Sequence, residues 1–278
     1  MSVLIALLVG LVAGAATLKL LEPTLGSDLL RRTNHRGAPI ATAAGLVIVL
    51  GVLGVEGMLG VVEAGDFDPI GGSVGRRLVV LATVGFGLLG FLDDLLGAGE
   101  SGGFSGHLRA LARGRLTSGG VKLFGGAALA LAVMAAIQPG SIGRILADGA
   151  LVALAANLGN LMDRAPGRCL KTTAIAFTVL VVTASADQDL VGVALVVGAA
   201  LALLPADLGE KVMLGDAGAN VVGAALGIGV VLTAGPTARN IVLVVLVALN
   251  LLSERVSFSR VIDSFVPLRA LDRLGRRT

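Results

Sequence analysis

Carboxylates stand at the ends of several apolar runs in this chain, where charged side chains are rare without a functional reason. Asp93 and Asp94 are adjacent and follow the apolar run 78–92. Asp163 and Asp216 stand at the ends of two further runs. Mg²⁺ is commonly held by one or two carboxylates together with substrate phosphates. The acids therefore indicate a cation or phosphate site, with a solvated helix end as the alternative.

Amide and cationic side chains accompany these acids. Asn157, Asn160 and Asp163 are spaced i, i+3 and i+6, so a helix would place them on one stripe, facing a common cavity. The alternative for the asparagines is a hydrogen bond between helices. Several nearby cations could neutralise a pyrophosphate or contact lipid headgroups instead: Lys122, Arg164, Arg168, Lys171 and Lys211. Lys122, at a Gly-Gly helix start, and Lys211, five residues before Asp216, are the preferred two.

The composition is that of a membrane protein. Of the 278 residues 55% are hydrophobic and only 15% are charged, and the mean hydropathy is +0.92. We predict an all-α, polytopic transmembrane protein whose residues 1–278 form a single integral membrane domain. The net charge of +3 does not point to nucleic acid, and the single Cys169 excludes an intrachain disulfide.

The apolar runs predict about nine spans, within a range of eight to ten, because a spanning helix needs about 20 apolar residues. The first is interpreted as a retained helix and not as a cleaved signal. The 41 glycines suit close helix packing and permit a homodimer. The predicted spans are Val3–Leu21, Ile40–Val62, Arg77–Leu92, Gly120–Ile137, Ile145–Leu161, Thr172–Ala186, Leu190–Pro205, Asp216–Ala234 and Ile241–Val256.

The basic residues predict the orientation. With nine spans, 18 of the 22 Lys and Arg residues fall on one side, and only Arg76, Arg77, Arg144 and Arg239 fall on the other. Positively charged loops are usually cytoplasmic. The N-terminus is therefore expected outside and the C-terminus inside, in the cytoplasmic membrane. All four acids at the helix ends would then lie on the cytoplasmic face.

Four motifs in order resemble the polyprenyl-phosphate N-acetylhexosamine-1-phosphate transferase superfamily. This superfamily includes phospho-N-acetylmuramoyl-pentapeptide transferase and the undecaprenyl-phosphate N-acetylglucosamine-1-phosphate transferases. The resemblance spans about residues 33–227. The motifs are Asn34-His35-Arg36-Gly37-Ala38-Pro39-Ile40, Phe91-Leu92-Asp93-Asp94, Asn157-x-x-Asn160-x-x-Asp163 and Lys211-Val212-Met213-Leu214-Gly215-Asp216-Ala217-Gly218.

The resemblance implies Mg²⁺-dependent transfer (Mn²⁺ could substitute) of a sugar-1-phosphate from a UDP-sugar to a polyprenyl phosphate, with release of UMP. Asp216 would be a direct metal ligand, and Asp93 and Asp94 would bind metal or prepare the lipid phosphate for attack. Asn160 and Asp163 would line the nucleotide pocket. Asp163 is also assigned to the catalytic set, as is Lys122 from its position at the Gly-Gly helix start. The substrate-binding residues would be Asn157, Asn160, Arg164, Arg168, Lys171, Lys211 and Arg36.

The chain departs from the family pattern at the donor pocket. Pro166 stands where the family has a second carboxylate that helps recognise uracil, and Arg164 replaces a glycine. A late His-rich loop is also absent, since residues 253–260 contain no histidine. These departures leave open a non-catalytic membrane relative that binds or regulates. A transporter is a weaker alternative, because its acids should lie near the membrane midplane. An intramembrane aspartyl protease is the weakest.

Overall fold

The computed structural model describes residues 1–33, 37, 39–65, 67, 69–71, 73–96, 113–114, 117–138 and 140–276, and it is 78% helical. The α-helices of these residues are α1 (Ser2–Leu25), α2 (Leu46–Glu63), α3 (Ser73–Leu96), α4 (Ser118–Ile137), α5 (Ile142–Met162), α6 (Arg168–Thr183), α7 (Val191–Leu201), α8 (Leu204–Leu208), α9 (Asp216–Thr233), α10 (Pro236–Ser253), α11 (Phe258–Ser264) and α12 (Val266–Arg273). Short 3₁₀ turns occupy Asp28–Leu30 and Gln188–Leu190.

Eight helical segments in the described residues are long and apolar enough to cross a membrane. They agree with the predicted all-α polytopic membrane architecture. Eight of the nine predicted spans overlap them. The ninth, Thr172–Ala186, overlaps α6, which has only 16 residues and falls below the usual spanning length.

The predicted span Leu190–Pro205 is a broken helical run in the structure. The run Gln188–Leu208 consists of a 3₁₀ turn followed by α7 and α8. Pro205 lies in the first turn of α8. Proline lacks the amide hydrogen that a helix interior uses, so it fits the start of a new helix better than the continuation of an old one.

Helix α9 lies at the centre of the bundle. Its span is 72% buried inside the protein, whereas that of the peripheral α10 is only 11% buried. Glycines allow the neighbouring backbones to approach it: a Cβ on Gly223 would overlap the carbonyl of Ala155 on α5, and one on Gly90 of α3 would overlap the carbonyl of Asp216. This close packing brings the ends of α3, α5 and α9 together.

A small β-structure, which the sequence did not predict, lies next to these helix ends. Strands β1 (Arg31–Thr33) and β2 (Pro39–Ala41) pair antiparallel. The amide of Met213 donates to the carbonyl of Ala41 at 2.8 Å, which adds the segment before α9 to the pair. This pairing satisfies backbone groups of both loops. It also connects the β-structure to the segment that leads into α9.

Candidate active site

The start of α9 is the backbone centre of the site. Gly215 precedes the helix with φ of 67°, a left-handed conformation that favours glycine. Asp216 is the first helical residue. The first amides of a helix have no partner within the helix and carry a partial positive charge. Acids of other helices bind these amides here.

Asp94 of α3 holds the first turn of α9. Its Oδ1 accepts from the amide of Asp216 at 2.9 Å, and its Oδ2 accepts from the amide of Ala217 at 3.0 Å. Charge-assisted bonds of this kind are among the stronger ones in proteins. Both carboxylate oxygens of Asp94 are thus engaged by backbone amides.

Asp163, which follows α5, holds the preceding residue. Its Oδ2 accepts from the amide of Gly215 at 3.0 Å, and the side chain is buried. Burial raises the pKa of Asp163 well above its ordinary value, and the neighbouring charges of Asp207 and Asp216 raise it further. Asp94 and Asp163 together orient the turn that carries Asp216.

Asp93, Lys122 and Asp216 meet from three different helices. The Nζ of Lys122 on α4 lies 3.1 Å from Oδ2 of Asp93 and forms a short ion pair with Asp216. The Ser118 side chain also hydrogen-bonds to Asp93. The side chains of Asp93, Lys122 and Asp216 are 18%, 21% and 19% exposed, so a small polar ligand can reach them.

Asn160 completes this group, whereas Asn157 does not. With its amide oriented to satisfy both neighbours, Asn160 donates to Oδ1 of Asp216 at 2.7 Å and accepts from Lys122 at 2.9 Å. Asn157 instead donates to Oδ1 of Asn250 on α10 at 2.6 Å. The predicted stripe is therefore divided. Asn160 and Asp163 belong to the acidic group, whereas Asn157 makes the hydrogen bond between helices that was the alternative prediction for the asparagines.

The four predicted substrate-binding cations that the structure describes do not join the acids. Arg164 and Lys211 are exposed. Arg168 donates to both carboxylate oxygens of Asp272, at 2.8 and 3.0 Å. Lys171 donates to backbone carbonyls near the end of α12. The structure therefore commits Arg168 and Lys171 to the C-terminal segment. Arg36 and its motif neighbours Asn34, His35 and Ala38 lie outside the described residues, as does much of the loop between α3 and α4.

Two residues that the sequence reasoning did not single out support the same loops. Asp207 is buried, and its Oδ2 accepts from the amide of Gly167 at 3.0 Å. Arg32 on β1 donates to the carbonyl of Asp94 at 3.1 Å. Asp207 could have been recognised from the sequence, because it is an acid that follows an apolar run and lies close to the loop of Asp216. Arg32 had no comparable signal, since its contact depends on the unpredicted strand pair.

The opposite end of the bundle also contains buried charges. Arg76, near the start of α3, is fully buried and bonds Glu56 at 2.7 Å. It also forms a short ion pair with Glu63, which in turn pairs with Arg77 at 2.5 Å. The two acids of α2 are thus matched by two guanidinium groups.

Asp148 at the start of α5 is matched in the same way. It accepts from Arg239 at 3.0 Å and forms a short ion pair with Arg144. Gln138 donates to its Oδ2 at 2.6 Å. We call this the paired end of the bundle, and the end with Asp93, Asp94, Asp163 and Asp216 the acidic end.

The donor set of the acidic end fits Mg²⁺ only with help from a substrate. Among the described residues no three Asp, Glu, His or Cys side chains gather around one point that could hold a metal ion. Of the four aspartates at this end, Asp93 and Asp216 have oxygens turned toward a common cation, which is the ammonium of Lys122. Two carboxylates suffice where phosphates supply further ligands. The site therefore fits a metal that binds together with a phosphorylated substrate.

An apolar cavity of about 200 Å³ lies between α5, α6, α9 and α10. Gly159 and Met162 of α5 line it, next to Asn160 and Asp163 in the chain, and Leu226, Val230 and Leu246 line it elsewhere. The cavity thus leads along the helices away from the acidic end. Its lining suits a hydrocarbon chain.

Comparison with known proteins adds no family. No protein-family model matches the chain, and no curated protein matches it.

Proposed function

We propose that this protein transfers a sugar-1-phosphate from a nucleotide sugar to a polyprenyl phosphate, with Mg²⁺, at the cytoplasmic face of the membrane. The observation that carries the proposal is the unmatched negative charge of the acidic end. Four carboxylates meet there with one ammonium group among the described residues. Uncompensated buried charge is costly, and it persists most often where a cation or a polar ligand completes the site.

Asp93 and Asp216 are the residues that would hold the metal. Both are partly exposed, and both turn an oxygen toward the same point. The ion would neutralise the donor pyrophosphate and make UMP a better leaving group. Asn160 would bind the donor next to Asp216, and the exposed Arg164 and Lys211 would supply cations for its pyrophosphate.

The reaction needs one bond made and one bond broken. An oxygen of the lipid phosphate attacks the phosphorus that carries the sugar, and the bond from that phosphorus to the bridging pyrophosphate oxygen breaks, so that UMP departs with the electron pair. In-line transfer of this kind depends mainly on positioning and on stabilisation of charge. Lys122 is placed to hold a transferred phosphate oxygen, and it would exchange its carboxylate partners for that oxygen.

Asp94 and Asp163 would act as positioning residues. Through the amides of Gly215, Asp216 and Ala217 they set the direction of the Asp216 side chain. A carboxylate misplaced by about 1 Å can cost roughly 10²-fold in rate. The apolar cavity beside α5 would accommodate part of the isoprenoid chain and so present its phosphate at the acidic end.

The departures from the family pattern concern the donor alone. Pro166 replaces an acid, and its carbonyl accepts from Arg276 at 2.9 Å, so this part of the loop packs against the C-terminal segment. We propose that recognition of the nucleotide and the sugar differs from that of the family, while the phosphate chemistry is retained.

A non-catalytic relative is the second candidate, and one observation favours it. Lys122 occupies the space between Asp93 and Asp216 that a metal ion would need. If the ammonium group serves as a permanent substitute for the metal, the protein binds a lipid phosphate without turning it over. A carboxylate-based transporter is less favoured, because the acids lie at helix ends.

The test uses purified protein in detergent with undecaprenyl phosphate, Mg²⁺ and a panel of UDP-sugars, scored for release of UMP. We expect lipid-dependent release that both EDTA and Asp216→Ala abolish. Asp28→Ala is the matched control, since Asp28 is a fully exposed acid that follows α1. Silence across the panel together with retained lipid binding would favour the non-catalytic relative.

A further inference from the structure

The last two helices are fastened to the bundle by polar contacts. Asp272 on α12 is buried, and both its oxygens accept from Arg168 at the start of α6. Ser259 on α11 accepts from the same guanidinium at 2.7 Å. Lys171 binds the carbonyls of Leu271 and Leu274 at the end of α12. A cation at a helix C-terminus is favourably placed.

The apolar side chains of this segment are the ones left uncovered. Phe265, Val266 and Leu274 are 56%, 62% and 66% exposed. Leu268 and Leu271 turn partly toward Ile175 of α6, yet they remain 42% and 43% exposed. A helix packed on a soluble protein turns its apolar side toward that protein. Here the acid Asp272 is buried against the bundle, while Phe265, Val266 and Leu274 face outward.

We infer that residues 257–276, called here the C-terminal anchor, insert their apolar side into the surface of the membrane in which the bundle is embedded. Their arginines would contact anionic lipid headgroups. The inference goes beyond the proposed activity and does not depend on it. An amphipathic helix with apolar residues on one side and Arg on the other typically lies in the plane of the membrane interface.

Two observations select the membrane surface as the partner. The anchor follows α10 after three residues, and Leu251 and Leu252 at the end of α10 are themselves exposed, as lipid-facing residues are. Residues 254–276 contain five arginines and three acids; Asp272 is paired with Arg168 and Arg276, and Asp263 is paired with Arg273. The outward-facing charge is therefore positive, which complements anionic headgroups.

The chain offers a direct experiment because it contains no tryptophan and no tyrosine. Phe265→Trp in the full-length protein, reconstituted in phosphatidylcholine bilayers with or without phosphatidylglycerol, provides a single fluorophore on the anchor. We expect a blue-shifted emission and quenching by brominated lipid that is roughly threefold stronger than that of a control tryptophan facing water. Quenching should be stronger with phosphatidylglycerol than without it.

Asp263→Trp is the matched control. Asp263 is exposed and lies about two residues from Val261 on α11, which places it on the opposite side of that helix. Its tryptophan should respond to acrylamide in the aqueous phase. Val266→Trp is the second reporter if Phe265→Trp does not fold.

Three outcomes would contradict the inference. Red-shifted emission with strong acrylamide quenching at both Phe265 and Val266 would show that the anchor lies in water. Protection from both acrylamide and brominated lipid would show that another protein surface covers it. Equal quenching in bilayers with and without phosphatidylglycerol would remove the role given to anionic headgroups.

Discussion

The two ends of the bundle treat buried charge in opposite ways. At the paired end, Glu56, Glu63 and Asp148 face four guanidinium groups. At the acidic end, Asp93 and Asp216 share the ammonium of Lys122, while three backbone amides bind Asp94 and Asp163. Both ends belong to the same helices, since α3 and α5 each contribute to both.

The contrast separates charge that stabilises the fold from charge kept for another purpose. A buried ion pair whose groups are all satisfied holds helices in a fixed arrangement, although its net contribution is modest. An excess of one sign raises the free energy of the folded state until a ligand of the opposite sign binds. We therefore expect substitutions at the paired end to affect stability, and those at the acidic end to affect binding and activity.

The largest expected effect is on stability at the paired end. Arg76→Met leaves Glu56 and Glu63 without their buried partner, and we expect a loss of about 3–5 kcal/mol in the free energy of unfolding. Activity per folded molecule should be unchanged. Thermal and denaturant unfolding in detergent measure the first, and the transferase assay measures the second.

Arg77→Met is the control for that measurement. The Arg77 side chain is 56% exposed, so its loss should cost less than about 1 kcal/mol. Equal losses for the two variants would contradict the distinction between the buried and the exposed guanidinium group.

The next effect is on activity at the acidic end. Asp216→Asn should lower the rate of UMP release by at least about 10²-fold, or about 2.7 kcal/mol of transition-state stabilisation. Its thermal stability should be equal to or higher than that of the wild type, because one of four like charges is removed. A clear loss of stability would mean that Asp216 serves the fold, as the charges of the paired end do.

Metal binding should stabilise the protein through the acidic end. At a Mg²⁺ concentration ten times the dissociation constant, we expect a gain of about 1.4 kcal/mol, measured as a higher unfolding temperature that EDTA reverses. Asp216→Asn should lose this gain, whereas Asp148→Asn, though less stable, should retain it. A gain of equal size in both variants would place the ion elsewhere.

The smallest effect is a pH dependence with two opposite parts. Burial alone would raise the pKa of Asp272, but the hydrogen bond and charge of Arg168 outweigh it, and the pKa lies below its ordinary value. The stabilisation by Asp272 is therefore present above the ordinary aspartate range and is lost as the pH falls through the lowered pKa.

Asp163 should act in the opposite direction, because its pKa is raised by burial and by Asp207. Its contribution to stability is full below the ordinary aspartate range and is lost as the pH rises through the raised pKa. Unfolding temperature measured against pH should therefore rise on mild acidification and fall on further acidification. Asp163→Asn should remove the rise, and Asp272→Asn should remove the fall; a profile unchanged in both variants would contradict these assignments.

Sequence reasoning predicted the architecture well because span length and hydrophobicity are local properties. Each helix must bury its own backbone hydrogen bonds in lipid, so an apolar run of sufficient length indicates a span without knowledge of its neighbours. The short α6 and the break before α8 are the places where this argument was least exact. The strand pair β1–β2 was missed because each strand has only three residues, too few for a recognisable pattern, and because the segment before α9 that extends the pair is far away in the chain.

The sequence indicated which residues gather at the acidic end, but it did not indicate what each of them contacts. Asp93, Lys122, Asn160, Asp163 and Asp216 come together in the structure, and motif order at helix ends was enough to suggest that. Adjacent residues on a helix point about 100° apart, so Asp93 faces the exposed group with Lys122 while Asp94 faces the amides of α9. The identical residue types in the sequence carry no sign of this division.

The sequence by itself determined that the chain forms apolar helices and places acids at their ends, because both follow from the solvent that each segment must meet. Only the tertiary structure decided which charges are matched. Arg168 and Lys171 lie close to Asp163 in the sequence, which made them candidates for substrate binding. In the structure they bind Asp272 and the carbonyls of α12 instead. Charge pairing depends on distances of a few ångströms between helices far apart in the chain, and such distances are set by packing.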